Sequence, residues 1–112
     1  MEFNIENRMW IKKSGKTYLG QGRIQLLEAI ESTGSIAKAS ETLGMSYKKA
    51  WSLIKVMNSI AEKPLVIKET GGRHGGGTQI TEQGKKLILE FRKLEKKTID
   101  FLDKESRNLR LC

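Results

Sequence analysis

The chain has 112 residues, a net charge of +8, and 30% charged against 38% hydrophobic residues. That length suits one domain with a modest core, and that balance belongs to a globular chain rather than a disordered one. No apolar run approaches the ~20 residues needed to span a bilayer. The N-terminal stretch MEFNIENRMWIKK lacks the apolar core and small-residue cleavage site of a signal peptide. The single cysteine, Cys112, is the last residue, which excludes an internal disulfide and any cysteine-based zinc finger and fits a reducing cytoplasm. With His74 as the one histidine, His and Cys alone cannot assemble a transition-metal site. An excess of positive charge on a small domain favours a polyanionic partner, but many soluble proteins are mildly basic, so the placement of the lysines decides.

Met9 to Leu19 reads as a β-hairpin. Trp10 and Ile11 are strand formers, Ser14-Gly15 suits a two-residue turn, and Thr17, Tyr18 and Leu19 return. Phe3 and Ile5 are expected to extend the first strand. Gly20-Gln21-Gly22 breaks the pattern. Arg23 to Ser32 then carries Ile24, Leu27 and Ile30, with Leu26 and Ala29 beside them, and predicts an amphipathic helix ending near Thr33-Gly34.

Ser35 to Ile60, SIAKASETLGMSYKKAWSLIKVMNSI, predicts two helices joined by a tight turn. Ser35 is a good N-cap, Ala37, Ala39 and Ser40 let another helix cross closely, and Gly44 supplies the positive φ that ends the first helix. Ser46 caps again. Ala50, Ile54 and Met57 share one face of the second helix. The opposite and leading face carries Ser46, Tyr47, Lys48, Lys49, Ser52 and Lys55, which are donors and cations with one aromatic. This is the helix-turn-helix arrangement, whose second helix enters a DNA major groove. An ordinary αα-hairpin with a solvated lysine face fits the spacing equally well, and the basic charge and a wing-like segment after the second helix shift the balance. Ser35 and Lys38 open the first helix, where backbone N–H groups and a cation can hold a phosphate. Trp51 is either a core anchor or an indole N–H donor to a phosphate, and packing is the commoner use of tryptophan.

Pro64 marks the end of the second helix. Leu65 to Thr70 is a β-branched run read as a strand, followed by the glycine-rich loop Gly71 to Gly77 and the short return Thr78-Gln79-Ile80. Two strands around such a loop, directly after a helix-turn-helix, make a wing with Arg73 and His74 at its tip. There they would reach the DNA backbone or the minor groove; the bland alternative is a floppy hairpin with a solvated histidine. The loop is not a nucleotide-phosphate loop, since Lys does not follow Gly77 and a strand rather than a helix comes next. No catalytic triad can be assembled, and neither an enzyme nor a cofactor is expected. Thr81 caps a final helix running from Glu82 past Leu102. Its stripe of Leu87, Phe91, Leu94, Phe101 and Leu102, with Ile88 and Ile99 alongside, exceeds what so small a body can cover, which predicts a coiled-coil-like seam with a second copy. The alternative is a helix folded back over its own domain. The tail from Ser106 to Cys112 is expected to fray.

Three stretches carry a family resemblance: TGSIAKASETLGMSYKKAWSLIKVMN, with its Met-Ser-Tyr-Lys-x-Ala-Trp string, ETGGRHGGGTQIT, and TEQGKKLI. Gly22 to Leu94 resembles the N-terminal DNA-binding domain of ModE-type molybdate-responsive transcription regulators, which are winged helix-turn-helix proteins related to the LysR type. The Trp10–Gly20 hairpin resembles that family's N-terminal ribbon. The resemblance implies a mostly α, α+β fold in a single domain over 1–112: a hairpin over 1–20, a winged helix-turn-helix core over 22–81 and a dimer helix over 82–107. It also implies double-stranded DNA and a second copy of the chain as partners, with Ser46, Tyr47, Lys48, Lys49 and Ser52 matching the leading face of the recognition helix. Full-length members carry C-terminal molybdate-binding domains and this chain stops before any, so the resemblance implies a stand-alone form and does not carry over molybdate binding. Two other readings stay open: a protein-interaction module that docks through the long helix, and an effector-sensing dimer holding a small oxyanion at its seam.

Overall fold

Ser14 and Gly15 take φ of 50° and 80°, the paired left-handed geometry of a type I′ turn, whose twist matches the strands it joins. They connect β1 (Trp10–Lys13) to β2 (Lys16–Gly20) in an antiparallel hairpin, bulged between Ile11 and Lys12. The computed structural model describes residues 3–69 and 77–111. Phe3 and Ile5 do not extend β1. The segment before Trp10 has no regular structure and lies beside the second half of the last helix, where the Thr98 hydroxyl donates to Met9 Sδ at 3.5 Å.

The hairpin runs straight into α1 (Gln21–Thr33). The expected break at Gly20–Gly22 does not occur. Gly20 still pairs with Trp10, and the helix begins at the next residue. Ile24, Leu26, Leu27 and Ile30 are fully buried, so α1 presents a broad apolar face and lies at the centre of the molecule. Gly34 ends it at φ 70°, with its N–H on the Ile30 carbonyl at 2.7 Å.

Helix α2 (Ile36–Leu43) buries Ile36, Ala39 and Ser40. Ser40 tolerates burial because its hydroxyl donates to the Ala37 carbonyl at 2.8 Å. Gly44, at φ 69°, donates to the Glu41 carbonyl, while the Met45 N–H donates to the Ser40 carbonyl, which is the paired bond pattern of a glycine-terminated helix. Helix α3 (Tyr47–Ile60) follows and sends Ala50, Ile54 and Met57 into the core at 0% exposure.

Strands β3 (Val66–Lys68) and β4 (Thr78–Ile80) pair antiparallel, with Val66 opposite Ile80 and Lys68 opposite Thr78. β3 is shorter than expected because Leu65 spends its backbone groups elsewhere. Its N–H donates to Asn58 Oδ1 at 2.8 Å, and its carbonyl accepts from the Thr81 N–H at 3.0 Å.

Helix α4 (Glu82–Ser106) is capped by the Thr81 hydroxyl, which accepts from the Gly84 N–H at 3.1 Å, with Glu82 at the positive end of the dipole. Only Gly84, Ile88 and Phe91 are buried along its 25 residues. Arg92 fixes α4 to α1: Nη2 and Nε donate to the two Glu28 oxygens at 2.6 and 3.1 Å, and Nη1 donates to Gln21 at 2.9 Å and Glu95 at 2.8 Å. These bonds, those to Glu28 first, raise the Arg92 pKa above its ordinary value. Phe91, expected on the seam between copies, is instead part of the protomer's own core at 2% exposure, because the α1 contact turns that face of α4 inward. The other stripe residues lie beside the core face. Leu87 and Leu102 are half-buried, while Leu94 and Phe101 are 46% and 60% exposed.

Candidate nucleic-acid interface

Local sequence fixes where α3 points. The Ser46 hydroxyl accepts from the Lys49 N–H at 3.0 Å, so the helix starts at Tyr47, and the buried Ala50-Ile54-Met57 face then sets its rotation. The remaining face is outward. Ser46, Tyr47, Lys48, Lys49, Ser52 and Lys55 are all exposed. Two cations stand in the first turn, flanked by hydroxyl groups on an exposed helix start. That set can donate to guanine O6 and N7, to other base edges and to phosphate oxygens.

The start of α2 lies beside it. Ser35 is half-buried, and its hydroxyl accepts from the Lys38 N–H at 3.1 Å; Lys38 itself is exposed. That hydroxyl is therefore already in use as a cap. The free N–H groups of the first turn and the Lys38 ammonium remain to meet an anion.

The root of the wing is docked onto the same corner. The Thr78 N–H donates to the Gly34 carbonyl at 3.0 Å, and the Glu69 N–H donates to the Gly77 carbonyl at 2.8 Å, which closes the strand pair. A Cβ on Gly77 would approach the Gly34 carbonyl to 3.4 Å, so the two loops meet at backbone distance. On the other side Asn58 stitches α3 to β3. Its Nδ2 donates to the Val66 carbonyl at 2.9 Å, and its Oδ1 accepts from the N–H groups of Leu65 and Val66. Between α2, α3 and the wing root runs a polar cleft of about 260 Å³, lined by Ser35, Tyr47, Lys68 and Thr78 among others. Arg73 and His74, expected at the wing tip, lie outside the described residues.

The structure thus exposes Lys38 on α2 and Ser46, Tyr47, Lys48, Lys49, Ser52 and Lys55 on α3, and it brings Ser35 and Tyr47 together in one cleft. It adds Lys68 on β3, which sequence reasoning did not single out. Trp51 is half-buried against the core, which fits its reading as an anchor. Its ring also carries Lys68 Nζ at 4.4 Å and Lys55 Nζ at 5.6 Å from the centroid. Among the described residues no carboxylate forms an ion pair with Lys38, Lys48, Lys49, Lys55 or Lys68, whereas on α4 Lys85 and Lys96 pair with Glu82 and Asp100, and Arg107, just after it, pairs with Asp103. The uncompensated cations therefore include those around the α2–α3 corner. No group of three or more His, Cys, Asp or Glu that could hold a metal occurs among the described residues.

Residues 22–85, from α1 to the first turn of α4, match the family described as bacterial regulatory helix-turn-helix protein, lysR family. The chain belongs to this family. It is similar to the molybdenum transport protein ModE of Azotobacter vinelandii, at 44% identity over 91% of this chain and 38% of that protein. It is also 44% identical to the molybdenum-pterin-binding protein MopA of Rhodobacter capsulatus, over 76% of this chain and 32% of that one. The DNA-binding transcriptional dual regulator ModE of Escherichia coli K12 is 37% identical over 82% of this chain and 36% of its own length. The chain spans about a third of the length of these relatives. The LysR-type helix-turn-helix and the mostly helical winged architecture expected from the sequence are what the comparison and the fold show.

Proposed function

We propose that this LysR-family domain binds double-stranded DNA as a homodimer in the cytoplasm and regulates transcription. The observation that carries this reading is the two-sided character of α3. Ala50, Ile54 and Met57 are wholly buried, and the opposite face is exposed, hydroxyl-bearing and basic without a described acidic partner. Each α3 would enter a major groove. The α2 N-terminus and Lys38 would hold a phosphate, and the wing, with Arg73 and His74, would lie on the backbone or in the minor groove. The regulatory names of the relatives point the same way, and no described helix is long and apolar enough to cross a membrane.

The second copy is supported by α4. Leu87, Leu94 and Phe101 recur at seven-residue intervals beside the core face, and their exposure rises as the helix leaves the body. Leu94 and Leu87 also line an apolar groove with Ile11 and Tyr18. Leu102 continues this stripe, while Phe91 supports it from inside. Paired protomers would place the two α3 helices on half-sites roughly 34 Å apart or a multiple of that.

The test is a gel-shift series against duplexes selected from a random pool, at rising salt. Affinity should fall steeply with salt, because lysines displace counterions from phosphates. Replacing Lys48 and Lys49 with Ala should weaken binding while the thermal melt is unchanged. A loss spread evenly over sequences, with the salt slope reduced by about 1 for each lysine, would assign them to phosphates, and relaxed specificity would assign them to bases. Salt-independent affinity, or no effect of the substitutions, would refute this placement of α3.

A further inference from the structure

Trp51 has two neighbours that its role as an anchor does not require. Lys55, one turn further along α3, and Lys68, from the other side of the cleft on β3, both bring their ammonium groups over its indole ring, at 5.6 and 4.4 Å from the centroid. The negative face of a tryptophan attracts a cation within about 6 Å, more strongly than any other side-chain ring does. Two like charges on one ring repel each other, and the ring offsets only part of that. Among the described residues neither ammonium group forms an ion pair. Trp51 itself is held by packing against the core, and β3 is held against α3 by the Asn58 bonds. The ring is thus a platform held by packing with two cations over it, and an anion that both can reach would relieve their repulsion.

We infer that Trp51 is a positioning residue that gathers Lys55 of the recognition helix and Lys68 of the wing root into one phosphate-binding unit. This rests on the reading of the domain as a DNA-binding module and deepens it, because it couples two elements that the sequence presents as separate contacts. A lysine on a free stem loses rotamer entropy when it meets a phosphate. Lysines already drawn onto a ring lose less, and their contact is aimed at one stretch of backbone. The unit reads no base, so it contributes equally on every sequence.

A thermodynamic cycle tests this. Affinity and salt slope are measured on one fixed duplex for the full chain, for Trp51→Leu, for Lys55→Ala with Lys68→Ala, and for all three substitutions together. Removing both lysines should reduce the magnitude of the salt slope by about 0.9 for each phosphate they neutralise. Trp51→Leu alone should weaken binding roughly three- to tenfold and reproduce part of that slope change. In the background lacking both lysines it should have no further effect. An equal loss in both backgrounds would overturn the proposal and leave Trp51 as a packing residue or a direct DNA contact. If Trp51→Leu does not fold, Trp51→Phe supplies the same cycle with a weaker ring and a preserved core, and the same two outcomes decide. A parent chain with no salt-dependent duplex binding would instead sink the DNA-binding reading itself, a result distinct from a cycle that closes without coupling.

Discussion

Gly84 offers a quantitative test of how the wing root is built. It is buried at the start of α4, and a Cβ placed there would lie 2.5 Å from the Leu65 carbonyl oxygen and 2.8 Å from Ile80 Cγ2. Two effects oppose each other in Gly84→Ala. Helix propensity favours alanine by about 1 kcal/mol. Against it, the nearest atom is backbone, fixed by the bonds that it accepts from the Thr81 N–H at 3.0 Å and Thr81 Oγ1 at 3.3 Å. Relieving the clash means moving α4 away from Leu65, which strains those bonds, each contributing about 1 kcal/mol, and overpacking of this kind costs typically 1–3 kcal/mol. The net expectation is a loss of about 1–2 kcal/mol, which lowers Tm by roughly 4 °C for each kcal/mol in a domain of this size. Gly22 is the matched control. It also lies in a helix, but nothing is within 4 Å of the point where an alanine methyl would sit. Gly22→Ala should therefore stabilise by up to about 1 kcal/mol. Urea denaturation of the two variants beside the parent chain measures both signs. A Gly84→Ala variant at least as stable as the parent would refute the account of a seat too tight for a methyl group.

Three other expectations concern stability. Burial first, and the charge of Glu62 second, raise the Tyr18 pKa above 10.0. The unfolded chain then loses this proton at lower pH than the folded one, so the tyrosine's contribution is intact below about pH 10 and declines as pH rises through the folded value. Tyr18→Phe should flatten the alkaline fall in Tm relative to the parent, and identical pH profiles would refute this. Asn58→Ala removes partners from the Leu65 N–H, the Val66 N–H and the Val66 carbonyl together, and should cost about 2 kcal/mol in denaturant titration; an unchanged midpoint would show that water replaces the amide. Arg23 holds Nη1 buried without a partner among the described residues, and burial lowers its pKa. Arg23→Met keeps the apolar stem and removes that desolvation cost, so it should be neutral or stabilising. A loss above about 1 kcal/mol would mean that the guanidinium has a partner after all.

Features that depend on near neighbours in the chain were legible in the sequence. Ser14-Gly15 forms its turn because the two residues between the strands must take positive φ. Ser35, Ser46 and Thr81 cap as expected because the acceptor and the N–H it serves are three residues apart. What escaped depends on which distant element lies alongside. Periodicity places Phe91 and Leu94 on one apolar stripe, but only the position of α1, fixed by Glu28 and Arg92, sends Phe91 inward and leaves Leu94 out. The shortening of β3 follows from Asn58 and Thr81, respectively 7 residues before and 16 after Leu65. Lys68 has no signal of its own in a run of strand formers. It joins the candidate site because Asn58 draws β3 beside Trp51.

The same ties bear on how the surface would work. The α2–α3 corner, the wing root and the start of α4 are connected by backbone bonds from Thr78 to Gly34 and from Thr81 to Leu65, and by the Asn58 side-chain amide to the backbone of Leu65 and Val66. Among the described residues of this corner and root, such connections would leave the lysine side chains as the chief freedom lost on binding a duplex. A variant that loosens the root has two separable consequences. Gly84→Ala lowers stability, but at a temperature well below its Tm nearly every molecule is folded, so stability alone leaves the measured Kd unchanged. If α4 moves off Leu65, however, β3 and Lys68 shift relative to α3, and affinity falls even in the fully folded variant. Measuring Kd for Gly84→Ala and Asn58→Ala at low temperature, on one duplex and at one salt concentration, separates the two. A Kd equal to that of the parent would mean that the wing root contributes stability alone. A weaker Kd, accompanied by a smaller slope when the salt is then varied, would show that the placement of the root, through Lys68, is part of the binding surface.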